Sequence, residues 1–451
     1  MADRITCDMC VVGAGYAGLS AARHAARAGR DVCVLEARDR VGGRIWSVER
    51  AGHRIDIGGA WLGPQQDAVH ALVREFGIAT HPTFDTGDIV LTIGDDVRRF
   101  HGQLPRVSPI AIGALALGMA RIDMMAKKVP LDAPWNARRA GQWDARSAGD
   151  WVHRNLPRGA GRDLLDAAVR GLMTCDPSEV SLLHFLYLVR SAGSLNALLA
   201  VEGGYQQDLV VGGATLMAEG LADELGDRVL VEQPVRAITQ SDREVEITTD
   251  SLTVHAERVV VAVPPALILR IQFTPALPAD RAQLNASLLS GSVIKFVVQY
   301  PDAFWRADGL SGQTIGMGSP IEMTLDAGEP GGSPGVMTAF AFGPPGRELG
   351  ALAPDVRKKI VLDALVVRFG ARAAEPIDFA ERDWAAEEWS RGCYMAHMPP
   401  GVMTQYGRLL RQPCGRIHWA GTETATKSHG AIDGAIRSGI RAADEVLGLL
   451  P

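Results

Sequence analysis

The chain has 451 residues, 47% hydrophobic and 22% charged, with a formal net charge of −6 and a pI near 6.0. That length suits two intertwined domains rather than one core, and the composition excludes a disordered or fibrous protein. No run of Lys or Arg can track a phosphate backbone, which excludes nucleic acid as the expected partner.

In chain order, Cys7 to Val12 is a short apolar run with no signal peptide ahead of it. Gly13-Ala14-Gly15-Tyr16-Ala17-Gly18 then leads into an Ala-rich helical stretch that stops at Gly29, and Asp31 to Leu35 is a second apolar run ending at Glu36. Strand, glycine turn, helix, strand is the opening of a doubly wound nucleotide-binding sheet. Helical patterns occupy about 105 to 200. The longest apolar stretch, Pro109 to Ala120, is followed by Arg121 and Asp123 and falls short of the ~20 residues that span a bilayer, so no membrane partner is expected.

Leu230 to Ile238 and Val245 to Ile247 read as short strands, and Ala256 to Val263, closed by Pro264 and Pro265, as a strand buried on both faces. A strand-like region runs from Val293 to about Phe342, with a surface turn over the Gly/Pro-rich Gly328 to Gly335. Ile417 to Ala420 is a last strand, and a final helix spans about Gly430 to Leu447. The expected fold is therefore α/β. A Rossmann-like nucleotide-binding domain is assembled from 1–80, 205–290 and 391–451, and 81–204 with 291–390 form an inserted α+β substrate domain.

Six cysteines, Cys7, Cys10, Cys33, Cys175, Cys393 and Cys414, are too sparse for a disulfide framework and fit a reducing cytoplasm. Cys7 and Cys10 have metal or redox spacing, but no second pair accompanies them; they read as packed strand residues, and no metal ligands are singled out. The chain stops at Leu449-Leu450-Pro451 without a visible anchor. The sequence does not fix assembly, and a homodimer is compatible with it.

In the first turn Gly13 permits the tight bend, Gly15 lets the backbone approach a pyrophosphate, and Gly18 lets helix and strand pack closely. The helix N-terminus faces the phosphates with its partial positive charge. Glu36, at the end of the second strand, is placed to accept ribose hydroxyls. These features predict a dinucleotide, but not which one. Beyond the carboxylate, Glu36-Ala37-Arg38-Asp39-Arg40-Val41-Gly42-Gly43-Arg44 adds two glycines for close approach and, in Arg44, a partner for a pyrophosphate, if it is not simply a solvated basic turn.

The stretch from Val11 to Arg44 resembles the FAD-binding opening of the flavin amine oxidases, and Asp56 to Gln65 is similar to the segment that next borders their flavin. Gly392-Cys393-Tyr394, Pro399-Pro400-Gly401, Thr404 to Gly407 and Ala420 to Thr426 closely resemble the mitochondrial monoamine oxidases, as do Val293-Ile294-Lys295 and Phe304-Trp305-Arg306. Nearly the whole chain is covered. The resemblance implies the two-domain amine oxidase architecture, related to glutathione reductase, and FAD as cofactor.

It further implies Arg38, Gly59, Trp61 and Ile432 along the cofactor, Val235 at the adenine, and Thr422 and Glu423 at the flavin end. Lys295 matches the lysine that holds a water against flavin N5, and Trp384 an aromatic residue beside the isoalloxazine. An apolar setting of Val293, Ile294, Phe296, Val297 and Val298 already sets Lys295 apart from an exposed strand lysine. Tyr394 matches one wall of an aromatic cage over the flavin; the opposite wall, a tyrosine in the mammalian enzymes, is Ala431 here. Leu172, Leu198, Leu199, Gln206, Met323 and Phe340 match the remaining pocket wall less closely, each as readily a core residue as a contact. Cys393 stands where the mitochondrial enzymes bond FAD covalently, whereas related bacterial enzymes often hold it without a bond; both outcomes stay open.

The implied reaction oxidises an amine to an imine, which hydrolyses to an aldehyde or ketone, and reduces oxygen to hydrogen peroxide. The rivals are an L-amino-acid oxidase, which needs an arginine in the pocket, and a polyamine oxidase, for which Glu202, Asp208 and Glu322 are available carboxylates. A flavin-binding protein without turnover is the rival from another class.

Overall fold

The computed structural model describes residues 3–94, 96–102 and 107–450. The start of the expected helical stretch at 105–106 and the terminal Pro451 lie outside the described residues.

Two sheets organise the chain. In the eight-stranded one, Asp3–Val12 lies between Leu252–Val261 and Val32–Leu35, parallel to both, and the register brings Val12 opposite Val261 and Leu35. Met9 to Val12, Val32 to Leu35 and Val259 to Val261 are all buried, their side chains shared between apolar clusters on the two faces; this is why they read as unbroken apolar runs. Ile417–Trp419 pairs parallel with Val259 to Val261, bringing the C-terminal block of the chain to the same sheet. Beyond Val32–Leu35 lies Val229–Leu230, and on the other side follow Val245–Thr248, Ala237–Gln240 and Gln272–Thr274.

The expected strand from Leu230 to Ile238 is in fact two short strands, Val229–Leu230 and Ala237–Gln240, at opposite sides of the sheet. The loop that crosses between them carries Val235. The helix Tyr16–Arg27 packs on the C-terminal helix Ile432–Leu447, where a Cβ on Gly439 would lie 2.0 Å from the Ala17 carbonyl oxygen.

The seven-stranded sheet runs in the order Asp378–Asp383, Val293–Tyr300, Gly335–Phe342, Met323–Asp326, Leu310–Met317, Asp88–Ile93, Asp96–Phe100. All its pairings are antiparallel except that of Leu310–Met317 with Asp88–Ile93. Lys295 pairs across the ladder with Phe340, which also faces Met323. Every residue of Val293–Tyr300 and Gly335–Phe342 is buried.

Helices Ala148–Asn155, Ala160–Met173 and Leu182–Ala192 build a separate core with Met395, Met398 and Met403. The apolar stretch at Pro109 continues through Arg121 and Asp123 as an 18-residue helix to Ala126, longer than the sequence suggested. By length and composition it is sufficient to cross a membrane, and Ile110, Leu117 and Met124 on it are exposed.

Candidate active site

The carboxyl ends of Asp3–Val12, Val32–Leu35 and Leu252–Val261 meet at the mouth of one elongated cavity, the crevice where doubly wound sheets bind ligands. Gly13 adopts φ +103°, and a Cβ on Gly18 would lie 1.8 Å from the Gly13 carbonyl oxygen, so both glycines are required by geometry. Gly15 precedes the helix Tyr16–Arg27 as its N-cap without any side-chain cap, leaving the first backbone N–H groups to a ligand. Glu36 accepts from the Ala14 amide at 2.7 Å and the Arg38 amide at 3.0 Å, which fixes its carboxylate at the end of the second strand. Gly42 and Gly43 have positive φ, and Gly43 touches Gly15 closely enough that a Cβ there would be 3.3 Å from the Gly15 Cα.

Gly13, Gly15, Glu36, Arg38, Gly42, Gly43, Arg44, Gly59, Trp61, Val235, Gln206, Cys393, Tyr394, Thr422, Ala431 and Ile432 all line this cavity. Buried polar atoms of four lining residues have no partner: Arg38 Nε, Trp61 Nε1, Gln66 Oε1 and Gln206 Oε1. Such orphans mark a place for a polar ligand. A second helix, Ile432–Leu447, also starts at the cavity from an N-cap, Ala431, that has no side-chain cap. Two free helix N-termini, glycines that admit backbone contact and a fixed carboxylate fit a dinucleotide.

Several lining residues were not singled out by sequence. Gln233, Arg236, Arg270, Trp389 and Ser390 gather at the nucleotide end, with the Arg236 and Arg270 guanidinium carbons 5.9 and 5.6 Å from the Trp389 ring centre. The Pro264-Pro265 stop after a buried strand was the visible signal for that rim.

At the other end Arg44 lines the cavity and is held in place by protein groups. Its guanidinium grips Glu423 at 2.7 and 3.1 Å and donates to the Tyr394 carbonyl at 2.8 Å. Burial raises the Glu423 carboxyl, but the Arg44 charge and hydrogen bonds outweigh it and hold the group below its ordinary value. The pair pins Gly392-Cys393-Tyr394 to the Thr422 to Thr424 turn. Behind that segment Thr174 Oγ1 donates to the Cys393 carbonyl at 2.7 Å, and Gly291 has no room for a side chain between them. Cys393 is buried, and burial pushes its thiol up to about 12.

Lys295 and Trp384 do not line the main cavity; they hold its wall from behind. Lys295 Nζ donates to the Gly58 carbonyl at 2.8 Å and lies 4.9 Å from the Trp61 ring centre, and Trp384 Nε1 donates to the Ile57 carbonyl at 3.1 Å. Burial lowers the Lys295 ammonium to about 8 despite the nearby Asp56 carboxylate. Trp61, Phe340, Phe342 and Tyr394 make a continuous aromatic cluster, with centroid separations of 5.9, 5.5 and 6.3 Å, of which Trp61 and Tyr394 line the cavity and Phe340 and Phe342 are buried behind them. Tyr394 and Ala431 border the same space, so one side is a ring and the other a methyl group.

Of the remaining pocket candidates, Met323 and Phe340 pack in this aromatic cluster and Leu172 packs at the edge of the helical core. Leu198 is a core residue and Leu199 is exposed; neither lines the cavity. Their short helix, Leu195–Leu199, turns one inward and the other outward, which an apolar pair in sequence does not reveal.

Residues 16–447 match the family described as flavin containing amine oxidoreductase, and the chain belongs to that family. It is 40% identical over 447 residues to a Mycobacterium tuberculosis protein named as flavin-containing monoamine oxidase AofH, covering 99% of this chain and 97% of that one. It is 38% identical to amine oxidase [flavin-containing] B of Sus scrofa, covering 98% of this chain and 86% of the relative. Putrescine oxidase, solved with putrescine bound, superposes with a TM-score of 0.95 at 31% identity over 99% of this chain and 100% of that one. The protein is an FAD-dependent amine oxidase, and its substrates are small-molecule amines and oxygen.

Proposed function

We propose that the amine is a monoamine with an apolar substituent, neither a diamine nor an amino acid. The observation that carries this is the pairing of charge beside the aromatic surface. Glu322 accepts from Arg170 Nε at 2.6 Å and from the Phe342 amide at 3.1 Å. Its charge is therefore neutralised, and so is that of Arg170, the arginine beside it. Arg44 and Glu423 neutralise each other in the same way. Glu202 is exposed and Asp208 is half-buried, and neither lines the cavity. A second ammonium inside would have no unpaired anion to meet, a costly arrangement in an apolar wall.

Bound FAD supplies the two-electron acceptor for the hydride of the amine's α-carbon and passes the electrons to oxygen. Gly13, Gly15, Glu36 and the two helix N-termini would hold it, with Val235 toward the adenine and Cys393, Tyr394 and Thr422 toward the flavin. The chain's part is to deliver the amine neutral and correctly placed. A free amine with a pKa near that of lysine, about 10.4, is protonated at pH 7. The rings of Trp61 and Tyr394 on the cavity, backed by Phe340 and Phe342, disfavour the ammonium form, and they do so without a catalytic carboxylate. Tyr394 presents its ring to the nitrogen, and the methyl group of Ala431 leaves the opposite side open to a bulkier substituent.

Peroxide production with chain-matched substrates tests the reading: butylamine against 1,4-diaminobutane and an aliphatic α-amino acid. The monoamine should lead in kcat/KM by at least about tenfold, equivalent to about 1.4 kcal/mol. A diamine preference would overturn the proposal and return the role to Asp208 or Glu202.

A further inference from the structure

We propose that Cys175, Glu179 and His397 form a site for a thiophilic divalent cation, zinc above all, apart from the flavin cavity. One donor atom from each lies within 4.8 Å of the others. Cys175 is fully buried and His397 is 2% exposed, while Glu179 lies at the edge. The second, independent observation is His397 itself: neither Nδ1 nor Nε2 has a hydrogen-bond partner. A neutral imidazole has one N–H to donate and one lone pair to fill, and buried rings rarely forgo both.

The surrounding backbone holds the three residues without help from a ligand. His397 lies in a short strand paired with Leu289, and the Ser181 amide donates to the Met398 carbonyl at 2.8 Å. Glu179 closes a turn in which its amide donates to the Asp176 carbonyl at 2.9 Å and its carboxylate accepts from the Asp176 amide at 3.0 Å. Arg347 reaches the other carboxylate oxygen at 3.1 Å.

The donor set is chemically selective. Sulfur, imidazole nitrogen and carboxylate oxygen in one small shell suit Zn(II), whose bonds to them are about 2.3, 2.0 and 2.1 Å, so that tetrahedral neighbours sit roughly 3.4–3.6 Å apart. Closing to that spacing exchanges contacts of the Glu179 carboxylate with the Asp176 amide and Arg347 for the cation. Thiolate and carboxylate together neutralise the dication, and water completes the shell. The thiol gives up its proton to solvent on binding, with no change of oxidation state. Burial already keeps the imidazole neutral, its value lowered to about 4.

The location gives the site a consequence. Cys175 follows Thr174, whose hydroxyl holds the Cys393 carbonyl, and His397 is three residues past Tyr394. A bound cation would tie both supports of the Gly-Cys-Tyr segment together.

The test uses chelator-treated, FAD-loaded enzyme and Zn(II). One zinc per chain should survive desalting, and zinc-edge X-ray absorption should fit one sulfur at about 2.3 Å with lighter ligands at about 2.0 Å. Cys175→Ser and His397→Gln, checked for unchanged FAD content, should each weaken binding at least about 100-fold, the upper end of what outer-shell changes alone cost. No retained zinc, a shell without sulfur, or equal affinity in both variants overturns the proposal. If a variant fails to fold, the stoichiometry and the sulfur in the parent enzyme still decide.

Discussion

Replacing Lys295 by Met isolates the one buried ammonium beside the aromatic surface. In the folded chain burial depresses its value from 10.5 to about 8. The ammonium therefore weighs against folding at neutral pH by about 3 kcal/mol, at about 1.4 kcal/mol per unit. The sign follows from the depressed value: the penalty is absent above 10.5, grows as pH falls to 8, and is complete below. Against it stands the charge-assisted hydrogen bond to Gly58, worth about 1.5–3 kcal/mol. Lys295→Met should thus be nearly as stable as the parent at pH 7, or more stable by about 1 kcal/mol. The parent should gain on it as pH rises from 8 toward 10.5. Denaturant unfolding across that window measures the crossover. Lys295 also holds Gly58, next to the cavity-lining Gly59 and Trp61, so its loss should slow flavin reduction or reoxidation by up to about 10²-fold, the cost of a small misplacement of the site. Stopped-flow traces equal to the parent in both half-reactions, with no pH-dependent difference in stability, would refute the assignment.

Other changes probe the rest of the site. Ala431→Tyr should shift preference toward small arylalkyl amines by narrowing the space opposite Tyr394; an unchanged substrate ranking would remove position 431 from the pocket. Glu423→Gln leaves Arg44 buried without its anion and should cost about 3–5 kcal/mol in urea unfolding. Gly18→Ala forces a Cβ against the Gly13 carbonyl and should destabilise by about 1–3 kcal/mol, with weaker FAD retention on gel filtration. Cys393 borders the cavity, and acid precipitation of the enzyme should leave yellow colour in the pellet, lost in Cys393→Ala; free FAD from the parent would reject a thioether.

What the sequence made legible was whatever depends on a local pattern. The glycine turn, Glu36 and the strand ending at Pro264 are set by neighbours along the chain, and the structure places them at one crevice. Periodicity did not foresee the hairpin Asp88–Ile93 with Asp96–Phe100, which owes its place to a parallel partner more than 200 residues away, Leu310–Met317. The split of Leu230 to Ile238 was hidden for a related reason: apolar residues at 230, 235 and 238 read as one strand, yet the chain crosses the sheet between them.

The charges were hardest to read, because a charged residue's role is decided by its partner. Arg44, next to a phosphate-binding turn, invites pairing with a phosphate; its protein partner stands 379 positions later. Arg170 and Glu322 are separated by 152 positions, and what charge each has left to offer can be judged only from their meeting. The same logic explains why Lys295 was legible. It lies in a strand buried at every position, so its surroundings were written in the residues on either side. His397 is the converse case: nothing near it in sequence marks it out, and only the fold, by denying both its nitrogens a partner, gives it a chemistry to complete.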